Sequence, residues 1–363
     1  MYYSELLETE IIQNRIKLME KENLKKRLQD KSVLVTGGAG TVGRKLCEKL
    51  LEFDAKKVIV LDNNELSIFN MSNDLAESIS DRLIDIKLGS VLDNGLLEYI
   101  FRLYSPNIVI HAAAYKHVSI ADKNPAEAVK CNVQGTLNIL NFCKLFKVEN
   151  FVYLSSDKAV NPSSIMGVTK RIGELLVRYF NMKTEGNYSI IRFGNVFGSS
   201  GSVGQIFVEQ IVNKKKLTIT HPDMERYFMS LNDAVNLIIS SIALYETGEI
   251  FICDMKQSIK IVDLAKRLIL ALGYTEQEIE IQYSNIREGE SLFEELSYPY
   301  EVLRKSAIKN IMICDSYNQD KNENSIIEKV YNLMQHLYSE NMIQYITDIV
   351  PEYKAKKENK VLH

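Results

Sequence analysis

The stretch Val33–Phe53 constrains the fold more than any other part of the chain. A short apolar strand, Val33–Val35, precedes a glycine-rich loop, and a helical pattern follows over Arg44–Phe53. Glycine allows the backbone to turn tightly and to approach a pyrophosphate group, which binds at the N-terminus of the next helix. Three glycines alone are weak evidence, but here strand, loop and helix follow in the required order. The pattern predicts a dinucleotide site whose loop residues are Gly37, Gly40, Thr41, Val42 and Gly43.

A carboxylate at the end of the second predicted strand indicates which dinucleotide binds. The strand Val58–Leu61 ends in Asp62, about twenty residues past the glycines, where a carboxylate can accept hydrogen bonds from both hydroxyls of an adenosine ribose. It would also repel a 2′-phosphate, so the sequence favours NAD over NADP, with Asn63 beside the ribose. The alternative is a turn-forming aspartate ahead of Asn63 and Asn64.

Strands and helices alternate through the first half of the chain. Further strands are predicted at Ile84–Leu88, Ile108–His111, Phe151–Leu154 and Ser189–Arg192, with helices over Asn94–Leu103, Pro125–Phe146 and Arg171–Phe180. This alternation predicts an α/β fold with a Rossmann-type, doubly wound parallel sheet. Small or polar residues that follow two of these strands are candidates to contact the flat cofactor: Ser90, Val91, Ala112, Ala113 and Ala114.

The alternation ends after residue 185, which predicts a smaller C-terminal substrate domain. We expect the NAD-binding domain to comprise 31–190 and about 225–257, and the substrate-binding domain to comprise 191–224 and 258–350. Residues 351–363 are lysine-rich and predict a flexible tail. Residues 1–30 predict an amphipathic helical extension, packed on the domain or on a partner subunit. A membrane-surface anchor is the alternative, although acidic residues interrupt its polar face.

Composition argues for a cytoplasmic, soluble protein. Forty-four basic against 47 acidic residues give a net charge of −3, which disfavours a general nucleic-acid binder. The sequence shows neither a signal-peptide pattern nor an apolar run of the roughly 20 residues that span a bilayer. The cysteines lack metal-ligand spacing, so we expect no metal site and interpret them as buried thiols: Cys47, Cys131, Cys143, Cys253 and Cys314.

The stretch Ser155–Lys170 is the strongest candidate for a reaction centre. A predicted strand ends there in a hydroxyl, a carboxylate and an ammonium group, those of Ser156, Asp157 and Lys158. Parallel sheets carry their active sites at this end of their strands. Met166 and Lys170 follow four residues apart, on one face of the next helix. In isolation, a surface ion pair that closes a loop explains Asp157 and Lys158 equally well.

Longer strings resemble one family. They are Ser155–Pro162, Met166–Arg171, Arg192–Val203, Thr220–Met229 and His111–Val118. With Thr36–Gly43, Asp62, Asn132 and Lys170, they make about residues 31–300 similar to the extended short-chain dehydrogenase/reductase superfamily. Within it, the chain resembles the polysaccharide-biosynthesis nucleotide-sugar 4,6-dehydratases. Larger members carry N-terminal transmembrane helices, and this chain resembles the short, soluble form.

The resemblance implies an NAD-dependent UDP-N-acetylglucosamine 4,6-dehydratase, or a relative that acts on a similar nucleotide-linked N-acetylhexosamine. Such enzymes make a 4-keto-6-deoxy sugar nucleotide for bacterial glycans. NAD is regenerated in each turnover and should stay tightly bound, with Asn132 and Lys170 among the cofactor-binding residues. A nucleotide-sugar 4-epimerase and a catalytically inactive NAD-binding scaffold are the alternatives.

The superfamily's usual catalytic tyrosine is replaced by Met166, as in one branch of these dehydratases. Asp157 is then the candidate acid for the C6 hydroxyl, and Ser156 is the candidate donor to the C4 oxygen. Lys158 is the candidate base at C5, where a dry site next to Lys170 should lower its pKa. Lys170 is expected to bind the nicotinamide ribose. The C4 hydroxyl proton could pass to Asp157, to Lys158 or to a water held by Lys170.

Five polar residues are candidates for substrate binding. Asn195, Arg226 and Arg287 could contact the pyrophosphate, because guanidinium groups match phosphate oxygens; a structural ion pair is the alternative for each arginine. Lys116 and His117 could contact substrate or stabilise a loop. The family's Arg-Pro-Gly-Glu-Lys is Arg287–Ser291 here, with a different sequence, which leaves the nucleotide and the sugar open. The resemblance also implies a homodimer or higher homo-oligomer, paired through apolar residues after Lys170: Ile172, Leu175, Leu176 and Phe180.

Overall fold

The computed structural model describes residues 16, 21–76, 81, 83–244, 249–255, 257–287, 289–315 and 325–353. Nine strands form one large sheet: β1 Ser32–Thr36, β2 Lys57–Asp62, β3 Ile84–Leu88, β4 Ile108–His111, β5 Asn150–Ser156, β6 Asn187–Phe193, β11 Ile250–Cys253, β14 Val302–Lys305 and β15 Ile311–Asp315. Six short strands lie outside it: β7 Asn195–Val196, β8 Leu217–Ile219, β9 Glu225–Arg226, β10 Phe228–Met229, β12 Ile259–Lys260 and β13 Ile281–Tyr283.

Helices alternate with the strands through the first half of the chain, as the sequence predicts. They are α1 Lys21–Leu28, α2 Thr41–Glu52, α3 Glu65–Asp74, α4 Asn94–Tyr104, α5 Val118–Lys123, α6 Pro125–Val129, α7 Gly135–Leu145, α8 Ile165–Asn181, α9 Val203–Val212, α10 Leu231–Ala243, α11 Ile261–Ala271, α12 Ile326–Gln335 and α13 Met342–Ile349. A π-helix, Lys130–Gln134, separates α6 from α7, and a 3₁₀ turn, Asp157–Ala159, follows β5.

The large sheet has the strand order β14-β15-β11-β6-β5-β4-β1-β2-β3. Every pairing from β11 to β3 is parallel, and β15 and β14 add antiparallel at one edge. This is the doubly wound arrangement that the alternation predicts, so the fold-class prediction is confirmed. The strand order reverses between β1 and β4, and a crevice forms at such a reversal beyond the carboxyl ends of the strands.

Apolar clusters cover both faces of the sheet. One contains buried side chains of α4, α7, α8, α12 and α13, and the other contains those of α1, α2 and α10. The central strands are buried on both faces, which explains their continuous runs of valine and isoleucine. This packing fixes the strand ends where the candidate site lies.

A smaller unit has its own core, built from α9, β8 and α11, with Phe207, Leu217 and Leu268 at its centre. The predicted substrate segment 258–350 does not stay together in this unit. The apolar strand β15 pairs with β11, so it completes the large sheet, and α12 and α13 pack beside α8. Residues 302–315 therefore belong to the main sheet, in contrast to the expectation.

The α8 residues expected to pair with a partner subunit are covered by the chain itself. Ile172, Leu176 and Phe180 are buried, and Leu175 is half-buried against the same cluster. That cluster includes Ile326, Val330 and Leu333 of α12. The expectation that these side chains face another subunit is wrong, because α12 occupies the space beside them.

Both predicted extensions are described in part. At the N-terminus, α1 packs its buried Leu24 and Leu28 into the cluster that includes α10, and the Ile16 amide donates to Asp233 Oδ1 at 2.6 Å. The rest of the predicted N-terminal helix and tail residues 354–363 lie outside the described residues. Tyr353, inside the predicted tail, is buried. No helix in the described part of the chain has both the length and the apolar character needed to cross a membrane.

Candidate active site

A cavity of about 640 Å³ lies at the carboxyl ends of β1, β2, β4, β5 and β6. All but one of the predicted cofactor residues line it: Gly37, Gly40, Thr41, Val42, Gly43, Asp62, Asn63, Ser90, Val91, Ala112, Ala113, Ala114 and Lys170. Ser156, Lys158 and Met166 line the same cavity, together with Lys116, His117 and Asn195. The fold thus brings most of the predicted cofactor, reaction and substrate residues to one place.

The glycine loop packs directly against the end of β4. Gly37 has a φ of 67°, and a Cβ atom there would lie 2.7 Å from the Ala113 amide nitrogen. A side chain at this position would therefore clash with backbone that cannot rotate away. The close approach forms the floor of the cavity where the loop meets Ala112 and Ala113.

Asp62 both faces the cavity and holds the surrounding loops. Its Oδ2 accepts a hydrogen bond from the Ala39 amide at 3.0 Å, and its Oδ1 accepts one from the Asn64 amide at 2.9 Å. The turn role weighed for this residue is therefore present in the structure. The carboxylate still lines the cavity, so the two roles are compatible.

The sequence predicts that this cavity binds NAD. On that prediction, Asp62→Asn should weaken NAD binding about tenfold and reduce the preference for NAD over NADP, because it removes the charge that repels a 2′-phosphate. Fluorescence titration of the purified protein with each dinucleotide measures both effects. An unchanged ratio of the two affinities would mean that Asp62 serves the turn alone.

The Gly/Ser loop after β7 reaches across the cavity to the glycine loop. The hydroxyls of Thr41 and Ser200 lie 3.0 Å apart, and Lys116 Nζ donates to the Ser200 carbonyl at 2.8 Å. Gly201 has a φ of 70° and lies against the His117 ring. Lys116 and His117 thus line the cavity and also support this loop, so both roles considered for them have a structural basis.

The buried side chain of Glu174 binds the end of β5. Ser155 Oγ donates to Glu174 Oε1 at 2.6 Å, and Ser156 Oγ donates to Asp157 Oδ1 at 2.7 Å. The Asp157 side chain is 1% exposed and does not appear among the described residues that line the cavity. Its Oδ2 is buried without a hydrogen-bond partner in the described structure. Asp157 therefore contacts the cavity through Lys158, which lines it.

Lys158 lies between two carboxylates. Its Nζ is 3.1 Å from Asp157 Oδ1 and 3.4 Å from Glu294 Oε1, and its side chain is 20% exposed. Burial alone would lower the pKa of Lys158, but the charges of Asp157 and Glu294 outweigh burial and raise the pKa. The expectation of a lowered pKa for this lysine is wrong, because it did not include Glu294.

Of Lys158 and Lys170, it is Lys170 that has a lowered pKa, whereas the sequence predicted a lowered pKa for Lys158. Its Nζ donates to the Leu154 carbonyl at 2.8 Å and lies 5.0 Å from the centre of the Tyr153 ring. Burial lowers the pKa of Lys170 to about 8. Met166, one helical turn earlier on α8, is buried but still contributes to the cavity wall.

The approach of α8 to the 3₁₀ turn depends on Gly167. A Cβ atom at this position would lie 2.2 Å from the Lys158 carbonyl oxygen. Ser164 caps the helix, and its Oγ accepts a hydrogen bond from the Gly167 amide at 3.1 Å. These contacts set the distance between Lys158 and the helix that carries Lys170.

Asn132 is the predicted cofactor residue that the structure places elsewhere. Its side chain is buried, accepts a hydrogen bond from the Tyr115 amide at 2.7 Å and donates to the Thr169 hydroxyl at 2.9 Å. It therefore joins the π-helix to the β4 loop and to α8. Because these contacts occupy its amide, we correct its role from binding the cofactor to positioning the wall of the site.

The two arginines expected at the pyrophosphate are not among the described residues that line the cavity. Arg226 is buried, and its guanidinium donates to the carbonyls of Glu225, Leu292 and Ser291 at 2.7, 3.1 and 2.8 Å. Arg287 is exposed. Arg226 therefore has a structural role, as the ion-pair alternative expected, although its partners are mainly carbonyl groups. Asn195 lines the cavity and accepts from Lys158 Nζ at 3.4 Å.

Sequence reasoning missed two features of the site. The first is Glu294, which gives no local signal because its partner Lys158 is far away in the chain. The second is a buried charge network in which Arg192 contacts both Glu174 and Glu301. An arginine inside a predicted apolar strand, Ser189–Arg192, was the available signal for the second feature.

The fold and the glycine-loop cavity define an extended short-chain dehydrogenase/reductase. Within this superfamily, the chain belongs to the polysaccharide biosynthesis protein family, whose sequence profile matches residues 33–316.

Curated relatives have several names. The chain is 38% identical over 303 residues to the probable polysaccharide biosynthesis protein EpsC of Bacillus subtilis, covering 83% of this chain and 51% of EpsC. It is 32% identical over 340 residues to UDP-N-acetylglucosamine 4,6-dehydratase (inverting) of Campylobacter jejuni, covering 90% and 96%. It is also 32% identical over 288 residues to UDP-glucose 4-epimerase of Rickettsia bellii, covering 77% and 82%. The chain thus spans about half the length of EpsC.

Solved structures share the fold. Pen from Bacillus thuringiensis has a TM-score of 0.74 and 30% identity, covering 80% of this chain and 90% of Pen. The dTDP-glucose 4,6-dehydratase DesIV from Streptomyces venezuelae, solved with NAD and TYD bound, has a TM-score of 0.64 and 23% identity, covering 73% and 88%. Both likenesses support the Rossmann-type fold.

Proposed function

We propose that the chain is an NAD-dependent nucleotide-sugar 4,6-dehydratase whose substrate is UDP-N-acetylglucosamine or a closely related sugar nucleotide. The observation that carries this proposal is the position of Lys158, supported by Asp157, in the same cavity as the glycine loop. Elimination of water needs an acid and a base close to the hydride-transfer site. The 32% identity to the Campylobacter dehydratase over most of both chains supports the same assignment.

The residues that would hold NAD fit that group. The glycine loop leaves room for a pyrophosphate at the N-terminus of α2, and Asp62 offers a carboxylate for the adenosine ribose. NAD would supply the chemistry of accepting hydride from sugar C4 and returning it to C6. Lys170 would bind the nicotinamide ribose hydroxyls, and its position over Tyr153 fixes the direction of its ammonium group.

The remaining roles follow from the polar groups at the end of β5. Ser156 would donate to the C4 oxygen. Asp157, a carboxylate beside Lys158, would pass the proton that Lys158 takes from C5 to the departing C6 hydroxyl, which leaves as water. Lys158 would remove the C5 proton after losing its own proton. Because the two carboxylates raise its pKa, we expect kcat/KM to rise with pH across the neutral and mildly alkaline range.

Product mass tests the proposal directly. The purified protein incubated with UDP-N-acetylglucosamine should yield a sugar nucleotide that is lighter by one water, detected by mass spectrometry. GDP-N-acetylglucosamine in a parallel incubation tests the choice of nucleotide. Failure to convert any UDP- or GDP-sugar by a protein that binds NAD would contradict the proposal and favour an inactive scaffold.

A 4-epimerase is the second candidate, because a relative with that name aligns with 77% of this chain. An epimerase does not need an acid–base pair for loss of water, so the Asp157–Lys158 pair favours dehydration. The same incubation separates the two activities: a product of unchanged mass and altered sugar configuration would identify an epimerase.

A further inference from the structure

The carboxylate of Glu294 lies beside the ammonium group of Lys158. Its side chain is 8% exposed, and its Oε1 lies 3.4 Å from Lys158 Nζ and 3.6 Å from Arg226 Nε. Glutamate is rarely buried this deeply without a cation beside it. In the proposed reaction, only the neighbouring Asp157 was expected to accompany Lys158.

Arg226 fixes the segment that carries Glu294. Its guanidinium binds the carbonyls of Ser291 and Leu292, and the Glu225 amide also donates to the Leu292 carbonyl at 3.0 Å. These bonds hold the backbone two and three residues before Glu294. The carboxylate is therefore aimed at Lys158 by contacts that do not involve Lys158 itself.

Three charged groups face Lys158 from the surrounding elements: Asp157 on its own turn, Glu294 on the segment after Ser291, and Arg226 on β9. Burial raises the pKa of Glu294, and the negative charge of Asp157 raises it further. The positive charges of Lys158 and Arg226 act in the opposite direction. Two carboxylates and two cations thus form one compact cluster. Removing one carboxylate should lower the pKa of Lys158.

We propose that Glu294 is a positioning residue for Lys158: its carboxylate holds the ammonium group at the cavity wall and sets the pH at which Lys158 releases its proton. The role of Lys158 as the base rests on the proposed function. The contact between Lys158 and Glu294 does not, so it can be tested separately.

Chemical labelling of Lys158 tests the proposal without using activity. Only an uncharged amine reacts in reductive methylation, so the rate at a fixed pH reports the uncharged fraction. In Glu294→Gln the lysine should release its proton about one pH unit lower, so Lys158 should label about tenfold faster near pH 9. Peptide mass spectrometry quantifies this rate, with Lys116 of the same cavity as the internal reference.

Activity provides the second readout. The rise of kcat/KM with pH should also move about one unit lower in Glu294→Gln, whatever happens to the maximal rate. Glu295→Gln is the matched control, because this neighbouring carboxylate is exposed and contacts Asn161 instead of Lys158. The control should keep the wild-type pH profile and the wild-type labelling rate.

An unchanged Lys158 labelling rate in folded Glu294→Gln would overturn the proposal, even if activity fell. If the glutamine variant does not fold, Glu294→Asp keeps the charge on a shorter side chain, and its labelling rate must then exceed that of the wild type. If wild-type protein makes no product but the labelling shift occurs, the proposed function fails and the role of Glu294 stands.

Discussion

Lys158→Arg should fold like the wild type and, in the proposed dehydratase reaction, lose about 10²–10⁴-fold in turnover of UDP-N-acetylglucosamine. Arginine keeps a positive charge between Asp157 and Glu294, so the buried carboxylates stay compensated. Its guanidinium cannot release a proton in proteins, so it cannot serve as a base. NAD affinity should be unchanged, because the glycine loop and Asp62 are not altered.

The measurement is a steady-state assay of product mass, accompanied by thermal unfolding and NAD titration of the same preparation. Lys158→Met is the informative contrast, since it leaves two buried carboxylates without their central cation and should lower the unfolding temperature as well as the activity. More than a tenth of wild-type turnover in the arginine variant would show that Lys158 contributes charge and not proton transfer.

Arg192→Met should reduce the free energy of unfolding by about 3–5 kcal/mol, because it removes the cation that pairs with the buried Glu301 and leaves Glu174 with Arg171. The Arg192 side chain is fully buried and binds Glu174 at 2.8 Å and Glu301 at 2.6 Å. Glu174 also accepts from Ser155, so the loss should reach the end of β5. Urea unfolding followed by circular dichroism measures the change.

Acid should weaken the same network. Burial would raise the pKa of Glu174, but the Arg192 and Arg171 guanidiniums reverse this effect and lower the pKa to about 2 from 4.5. The stabilising contribution of the Glu174 carboxylate is therefore complete above about pH 4.5 and is lost as pH falls towards 2.

Arg192→Lys is the control for Arg192→Met, since it keeps one positive charge but not the planar guanidinium that binds two carboxylates. A loss below 1 kcal/mol in Arg192→Met would mean that Arg171 alone compensates Glu174.

Local patterns made much of this protein predictable. The glycine loop and the apolar strands depend on residues close together in sequence, and the structure places them near their predicted bounds. The helix bounds were less accurate: the helix predicted over Arg171–Phe180 begins at Ile165, and a π-helix divides the one predicted over Pro125–Phe146. The residues expected to contact the cofactor could be predicted to line one cavity because strand ends of a parallel sheet converge. The line of small residues Ala112–Ala114 is an example, since it follows β4 directly and lies against Gly37.

The remaining features depend on contacts between distant parts of the chain. Glu294 meets Lys158 from another segment, and Asn132 is engaged by Tyr115 and Thr169, so neither role could be derived from spacing. The strand β15 shows an apolar run, but a sequence pattern does not state which edge of which sheet it joins. The pKa values of Lys158 and Lys170 depend on the same long-range contacts.

The buried charge network also has a consequence for how the protein is made. Glu174 and Arg192 leave the ribosome well before Glu301, which is 109 residues after Arg192, and Glu352 follows later still. Until then, Arg192 lacks one of its two carboxylates, and α8 lacks its cover by α12. The nascent chain should therefore expose this region during synthesis and depend on late residues to complete the packing around the end of β5.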